Sequence, residues 1–162
     1  MNKAHDCLSA SKKIFILDTS VLVYHEDSIH GFPDTTVVLP METLEELDAL
    51  KTRHDSVGNA ARYVNRFLDD LRTQGNLRDG VLLKNNQTII VSTKSDMSVL
   101  PRSMSESNDN KILSVAFALS IDYENVTLIT RDIALRVKAD SVGINSENYR
   151  KEKANISRKG AY

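Results

Sequence analysis

The hydrophobic and polar positions of the chain follow two repeats, one typical of buried strands and one typical of amphipathic helices. Short apolar runs rich in β-branched and aromatic residues predict strands at residues 13–18, 35–39 and 126–130. Apolar residues spaced three and four apart predict helices at residues 41–53, 57–71, 111–120 and 132–139. A further short strand is predicted at residues 142–144, and the lack of either repeat predicts a loop at residues 92–107.

Two apolar segments flank Asn85 and Asn86 and predict a β-hairpin, because asparagine tolerates the positive φ of a tight turn. Strands that alternate with helices predict an α/β fold, with three layers (α/β/α) around a mostly parallel central sheet and the hairpin as an insertion. We divide the chain into a disordered N-terminal segment (1–12), one folded domain (13–146) and a basic polar tail or linker (147–162).

The composition is that of a protein with one domain and no disulfide bond. A chain of 162 residues, of which 41% are hydrophobic, is long enough to form its own core. No apolar stretch reaches the roughly 18 residues that span a bilayer, so we expect a cytoplasmic protein without a membrane partner. The single cysteine, Cys7, excludes an internal disulfide. With 21 basic and 22 acidic residues, the net charge gives no global sign of nucleic-acid binding.

Two acidic residues fall where an α/β sheet places its ligand site, beyond the carboxyl ends of the strands, and a third lies at the start of a helix that can bring it to the same edge. Asp18 ends the first strand, Asp132 follows the strand at 126–130, and Asp109 lies just before the helix at 111–120. Three carboxylates at one sheet edge repel one another unless a cation neutralises them. This constellation therefore predicts a site for a divalent cation that prefers oxygen ligands, Mg²⁺ or Mn²⁺.

Two of these acids also have a purely structural interpretation. Asp109 and Asp132 both precede helices, where an aspartate commonly accepts backbone N–H bonds and contributes about 1 kcal/mol as a cap. A fourth acid is undecided between Glu46 and Asp48, which lie on the two flanks of the apolar stripe of one predicted helix. Asp48 has a surface partner in Lys51 three residues later, which favours Glu46 without deciding between them.

The order and spacing of these acids resemble a PIN domain over about residues 13–145. The matching segments are Phe15-Ile16-Leu17-Asp18-Thr19-Ser20, Leu39-Pro40 with Leu44-Glu45-Glu46-Leu47-Asp48, Asn108-Asp109-Asn110, and Leu128-Ile129-Thr130-Arg131-Asp132. Segments 46–51 and 132–144 are further similar to the N-terminal PIN domain of PhoH-like ATPases. Such proteins continue into a P-loop ATPase domain, whereas this sequence contains no Gly-x-x-x-x-Gly-Lys-Ser/Thr motif.

The resemblance implies a role for each matching position. The residues that correspond to the family's catalytic metal ligands are Asp18, Glu46, Asp109 and Asp132. The neighbours that correspond to supporting positions are Ser20, Thr130 and Asn110. Because Asn110 stands where some relatives have another acid, we expect either one or two bound ions. Apart from the resemblance, the basic residues nearest the acids are predicted to contact the substrate; they are Arg131, Arg136 and Lys138.

The implied function is that of a metal-dependent endoribonuclease, which cleaves single-stranded RNA by water attack and leaves 5′-phosphate and 3′-hydroxyl ends. The implied partners are RNA, a PhoH-type P-loop ATPase domain in a longer protein, and a second copy in a homo-oligomer. Two alternatives stay open: a catalytically weak RNA-binding or oligomerisation module beside an ATPase, and a structure-specific DNA nuclease. A phosphatase with an aspartyl nucleophile is disfavoured, because it needs an acid where this chain has Ser20.

Overall fold

A computed structural model describes residues 12–150 of the chain. The strands are β1 (Ile14–Leu17), β2 (Thr36–Pro40), β3 (Val81–Leu82), β4 (Thr88–Ser92), β5 (Val126–Ile129) and β6 (Ser146–Glu147). The helices are α1 (Thr19–Leu22), α2 (Met41–Leu50), α3 (Ser56–Leu71), α4 (Asn108–Asp122) and α5 (Ile133–Ser141), with 3-10 helices at Glu26–His30 and Met97–Val99. The predicted disordered segment, except Lys12, and the predicted tail beyond Arg150 lie outside the described residues.

One sheet of six strands forms the centre of the domain, in the order β3-β4-β2-β1-β5-β6. Strands β3 and β4 pair antiparallel, and every other neighbouring pair is parallel. Asn86 adopts a positive φ of 66° between β3 and β4, as the predicted hairpin requires. Because β4 also pairs with β2, the hairpin is one edge of the central sheet.

The alternating side chains of the sheet build two hydrophobic cores, one on each face. Leu17 of β1 belongs to a core with Val21 of α1 and Val64 of α3. Its neighbour Ile16 belongs to a second core with Leu113 of α4. Burial of each such side chain contributes about 1.5–3 kcal/mol. Helices on both faces of a mostly parallel sheet confirm the predicted three-layer α/β fold.

The strand predicted at residues 142–144 is wrong. Gly143 has a φ of 77°, and the Ile144 N–H donates to the Ala139 carbonyl at 2.9 Å, which ends α5 with a helical C-terminal turn. The last strand forms instead at β6, where Ser146 pairs with Leu128. Tyr149 is buried as well, so the packed chain continues past the predicted boundary at residue 146.

The connection from β1 to β2 contains α1 and the 3-10 helix at Glu26–His30, neither of which the hydrophobic pattern predicts. Both are too short for a helical repeat to be visible in the sequence. This connection begins at Asp18, so α1 lies beside the carboxyl end of β1. Among the helices of residues 12–150, none is long and apolar enough to cross a membrane.

Candidate active site

Parallel pairing of β1 with β5 brings two of the predicted acids to the same edge of the sheet. Leu17 and Ile129, the last residues of these strands, are paired partners. Asp18 directly follows Leu17, and Asp132 lies three residues beyond Ile129. Both acids therefore lie beyond the carboxyl ends of neighbouring strands, where parallel α/β sheets bind their ligands.

Asp18 is almost completely buried, with 4% of its surface exposed, and two hydroxyls hold it. Ser20 Oγ and Thr130 Oγ1 both donate to Asp18 Oδ2, at 2.7 and 2.8 Å. Each hydroxyl in turn accepts a backbone N–H, from Arg131 at 3.0 Å and from Asp132 at 3.0 Å. Among the described residues nothing donates a hydrogen bond to Asp18 Oδ1, which leaves this oxygen for a cation.

The two acids that precede helices differ in their surroundings. Asp132 is the N-cap of α5, because its Oδ1 accepts the N–H groups of Ala134 at 2.8 Å and Leu135 at 3.3 Å. Asp109 is not a cap, because Ser107 takes that position on α4 and accepts the N–H of Asn110 at 3.2 Å. The capping interpretation therefore holds for one oxygen of Asp132 and fails for Asp109.

Helix α2 carries Glu46 to the same edge. The hydroxyl of Thr43 donates to the Leu17 carbonyl at 3.0 Å, which ties the first turn of α2 to the end of β1. Glu46 lies one turn further along and is half-buried. Asp48, in contrast, is exposed and pairs with Lys51 at 2.6 Å, as an ordinary surface ion pair does.

The charges of the acids act on one another. Burial raises the pKa of Glu46, the charges of Asp18 and Asp109 raise it further, and the approach of the Thr19 and Asn108 side chains offsets part of the rise. In the sequence, nothing marks Thr19 or Asn108 as a site residue except its place in the segments that resemble a PIN domain. Glu46 therefore lies close enough to Asp18 and Asp109 for their charges to act on it.

Asp109 has a raised pKa for similar reasons. Burial is the largest cause, the charges of Asp18 and Asp132 add to it, and the nearby Lys138 ammonium opposes it. Each of the four predicted acids therefore lies within range of at least one other member. This edge holds a concentration of negative charge that the described residues offset mainly through Lys138.

The raised pKa values predict an unusual dependence of stability on pH when divalent cations are removed with EDTA. In the window from the ordinary carboxyl pKa of about 4 up to the raised values, the folded state binds more protons than the unfolded state. Stability therefore falls as pH rises through this window. We expect Glu46→Gln to be more stable than the original protein at about pH 7 and to lose that advantage towards about pH 4.

Urea unfolding across pH in EDTA measures this difference. Asp55 and Asp96 have pKa values lowered by hydrogen bonds from Arg53 and Ser98, and they oppose the trend in both proteins equally. The comparison of the two proteins therefore isolates Glu46. Parallel stability profiles, with a constant difference at every pH, would contradict the prediction.

The donor set fits a hard divalent cation. Within residues 12–150, no three histidine, cysteine, aspartate or glutamate side chains are gathered into a group that holds a metal ion as they stand. The carboxylates nevertheless share one edge, and a cation there would relieve the repulsion that, after burial, raises the pKa of Glu46 and Asp109. Beside Asp109, Asn110 Oδ1 is buried without a hydrogen bond, while its Nδ2 donates to the Ser105 carbonyl at 2.9 Å. Carboxylate and amide oxygens are the ligands that Mg²⁺ and Mn²⁺ prefer.

Two of the three predicted substrate-binding residues are engaged within the domain. The Arg131 guanidinium lies 3.6 Å from the centre of the Tyr24 ring and donates to the Tyr149 carbonyl at 2.8 Å. Arg136 donates to the Thr130 carbonyl at 2.8 Å. Lys138 is half-buried and its charge acts on Asp109, which places a basic side chain next to the acids.

The fold and the acids at its sheet edge define a class of protein. The PIN domain family matches residues 15–150, and the chain belongs to this family. PIN domains are generally nucleases. A solved structure, a domain of a functionally unknown protein from Methanocaldococcus jannaschii DSM 2661, shares the fold with a TM-score of 0.55 and 17% identity, over 85% of this chain and 91% of that one.

Within the family, the chain matches the PIN domain of PhoH-like proteins. Protein PhoH2 of Bacillus subtilis (strain 168) is 36% identical over 145 residues, which cover 85% of this chain and 33% of that protein. Protein PhoH2 of Thermobispora bispora is 39% identical over 140 residues, which cover 85% of this chain and 32% of that protein. The chain thus spans about a third of the length of these curated relatives.

Proposed function

We propose that this domain is a metal-dependent endoribonuclease that cleaves single-stranded RNA and leaves 5′-phosphate and 3′-hydroxyl ends. The observation that carries the proposal is the convergence of Asp18, Glu46, Asp109 and Asp132 at one edge of the parallel sheet, where burial and the charges of the neighbouring acids raise the pKa of Glu46 and of Asp109. Membership of a nuclease family supports it. In this proposal the four acids hold one or two Mg²⁺ or Mn²⁺ ions.

Each residue then has a defined task. The chemistry that Mg²⁺ or Mn²⁺ supplies at such a site is Lewis-acid activation of water and neutralisation of charge at the phosphate. Ser20 and Thr130 orient Asp18 through its Oδ2 and leave Oδ1 as a ligand. Asp132 uses Oδ1 as a helix cap and offers Oδ2. Lys138 presents a positive charge to the RNA backbone beside Asp109.

The proposed partners follow from the relatives. Proteins named PhoH2 are about three times as long as the matched segment, which supports a further domain, a PhoH-type P-loop ATPase, in the full-length protein. We place the activity in the cytoplasm, on RNA, beside that domain. Arg131 and Arg136 are left out of the proposed RNA contacts, because bonds to the Tyr149 and Thr130 carbonyls hold their guanidinium groups against the domain.

Matched single-stranded RNA and DNA oligonucleotides of one sequence test the proposal. Purified protein is incubated with each in Mg²⁺, in Mn²⁺ and in EDTA, and the products are separated on a sequencing gel. We expect internal cleavage of RNA with either metal, none in EDTA, and recovery when Mn²⁺ exceeds the chelator. Treatment of the products with a 5′-phosphate-dependent exonuclease identifies the ends.

The alternative functions predict different cleavage products on the gel. Metal-dependent cleavage of DNA with RNA left intact would replace the proposal with a DNA nuclease. RNA binding without cleavage in any metal would replace it with an RNA-binding module. Cleavage that persists in EDTA would contradict the role given to the acids, because an independent mechanism would then be operating.

A further inference from the structure

Arg136 is bound to the backbone at the end of β5, one residue beyond the strand. Its Nη1 donates to the Thr130 carbonyl at 2.8 Å. Thr130 is fully buried, and its own N–H donates to the carbonyl of Glu147, the last residue of β6. Strand pairing stops at this point, so the carbonyl of Thr130 has Arg136 as its donor in place of a neighbouring strand.

The peptide group that Arg136 holds is the one on which the Asp18 hydrogen bonds depend. Its carbonyl belongs to Thr130, and its N–H, from Arg131, donates to Ser20 Oγ at 3.0 Å. Ser20 and Thr130 are the two hydroxyls that donate to Asp18. One peptide plane is therefore fixed from both sides, by a guanidinium on its oxygen and by the Ser20 hydroxyl on its nitrogen.

We propose that Arg136 is a positioning residue of the nuclease site and not a contact to RNA. By fixing the peptide between Thr130 and Arg131, it holds both hydroxyls that orient Asp18, together with the N–H of Asp132 that donates to Thr130 Oγ1. Loss of the guanidinium leaves a buried carbonyl unpaired, and the peptide plane turns to satisfy it. This inference rests on the proposed nuclease function.

A direct contact between Arg136 and an RNA phosphate predicts a different result when the side chain is removed. If Arg136 instead contacted RNA through its remaining N–H groups, its removal would weaken RNA binding and reduce the salt dependence of binding by one phosphate contact. A positioning role leaves RNA affinity and its salt dependence unchanged and acts on the geometry of the acids. The two roles therefore separate in KM and kcat.

Arg136→Met tests the difference, because methionine keeps an unbranched apolar side chain and removes the donors. The matched control is Arg78→Met, which removes one exposed arginine far along the chain, before β3. For Arg136→Met we expect kcat and Mn²⁺ affinity, measured by calorimetry, to fall about 10- to 100-fold, as when partners of metal ligands are lost. KM, RNA affinity in EDTA and the slope of log affinity against log salt stay at the values of the control.

A weakened RNA affinity with a salt slope smaller by about one, at unchanged kcat, would overturn the proposal. If Arg136→Met does not fold, the same split between kcat and KM is measured on Arg136→Lys, which keeps a donor nitrogen and removes the planar guanidinium. Thr130→Val and the double variant complete a cycle: losses well short of additive support a shared unit, and additive losses contradict it. If the original protein cleaves no RNA, the proposed function fails, whereas Mn²⁺ affinity and the salt slope still decide the role of Arg136.

Discussion

Asp18→Asn is expected to reduce metal-dependent RNA cleavage by at least about 10³-fold, which corresponds to about 4 kcal/mol in the activation barrier. After burial, the charge of Asp18 is a further cause of the raised pKa of both Glu46 and Asp109, and two hydroxyls orient its carboxylate. Asparagine keeps the shape and an oxygen acceptor for Ser20 and Thr130, and it removes the negative charge that a divalent cation needs. Initial rates on labelled single-stranded RNA in Mn²⁺ measure the loss.

The fold of this variant is expected to remain intact. In EDTA, removal of one of four mutually repelling charges leaves the thermal midpoint equal or higher. Mn²⁺ at about 100 times its Kd stabilises the original protein by about 2.7 kcal/mol, and we expect Asp18→Asn to lose this stabilisation. The change in midpoint on addition of Mn²⁺ therefore reports the site independently of cleavage.

The matched control is Asp69→Asn on α3, where the carboxylate is exposed and pairs with Arg72 at 3.0 Å. Such a surface substitution changes stability by no more than about 0.5 kcal/mol and is expected to leave the rate unchanged. A folded Asp18→Asn variant that cleaves RNA at the original rate would exclude Asp18 from the mechanism. Loss of cleavage in both variants would point to a general effect of charge.

The parts of the fold that the sequence predicts are those in which burial dictates residue type. Strands β1 and β5 are mostly buried, so apolar residues dominate their sequences, and α3 shows one continuous apolar stripe. Strand β6 consists of Ser146 and Glu147, which favour no strand by themselves. It exists because Ser146 pairs with Leu128, and tertiary pairing of this kind leaves no local pattern.

The candidate site likewise contains residues that the sequence predicts and residues that it does not. Asp18 is predictable because an acid at the end of an apolar strand must be paired, solvated or bound to a cation. The role of Asp109 was ambiguous because Ser107 also has a capping side chain, and only the hydrogen bond from Asn110 to Ser107 decides between them. The position of Arg136 was beyond prediction, because a backbone carbonyl has no side chain that identifies it as an acceptor.

Glu46→Gln is expected to reduce metal-dependent cleavage about 10²-fold, whereas Asp48→Asn on the same helix leaves it unchanged. Glu46 is half-buried, and its pKa is raised by burial and by the charges of Asp18 and Asp109, so it belongs to the acid cluster. Asp48 is exposed and bound to Lys51. The two carboxylates are two residues apart in one helix, which makes each the control for the other.

Rates in Mn²⁺ and the thermal midpoint with and without Mn²⁺ distinguish the two variants. Glutamine keeps the length of the side chain and its packing, so a loss of rate at an equal or higher midpoint in EDTA reports the missing charge. The helix places these acids on opposite flanks of its apolar stripe, and the sequence pattern alone favours neither strongly. Equal losses of rate in both variants would show that the whole helix, and not one carboxylate, affects the site. A larger loss in Asp48→Asn would reverse the assignment, because the exposed carboxylate would then be the one that serves the reaction.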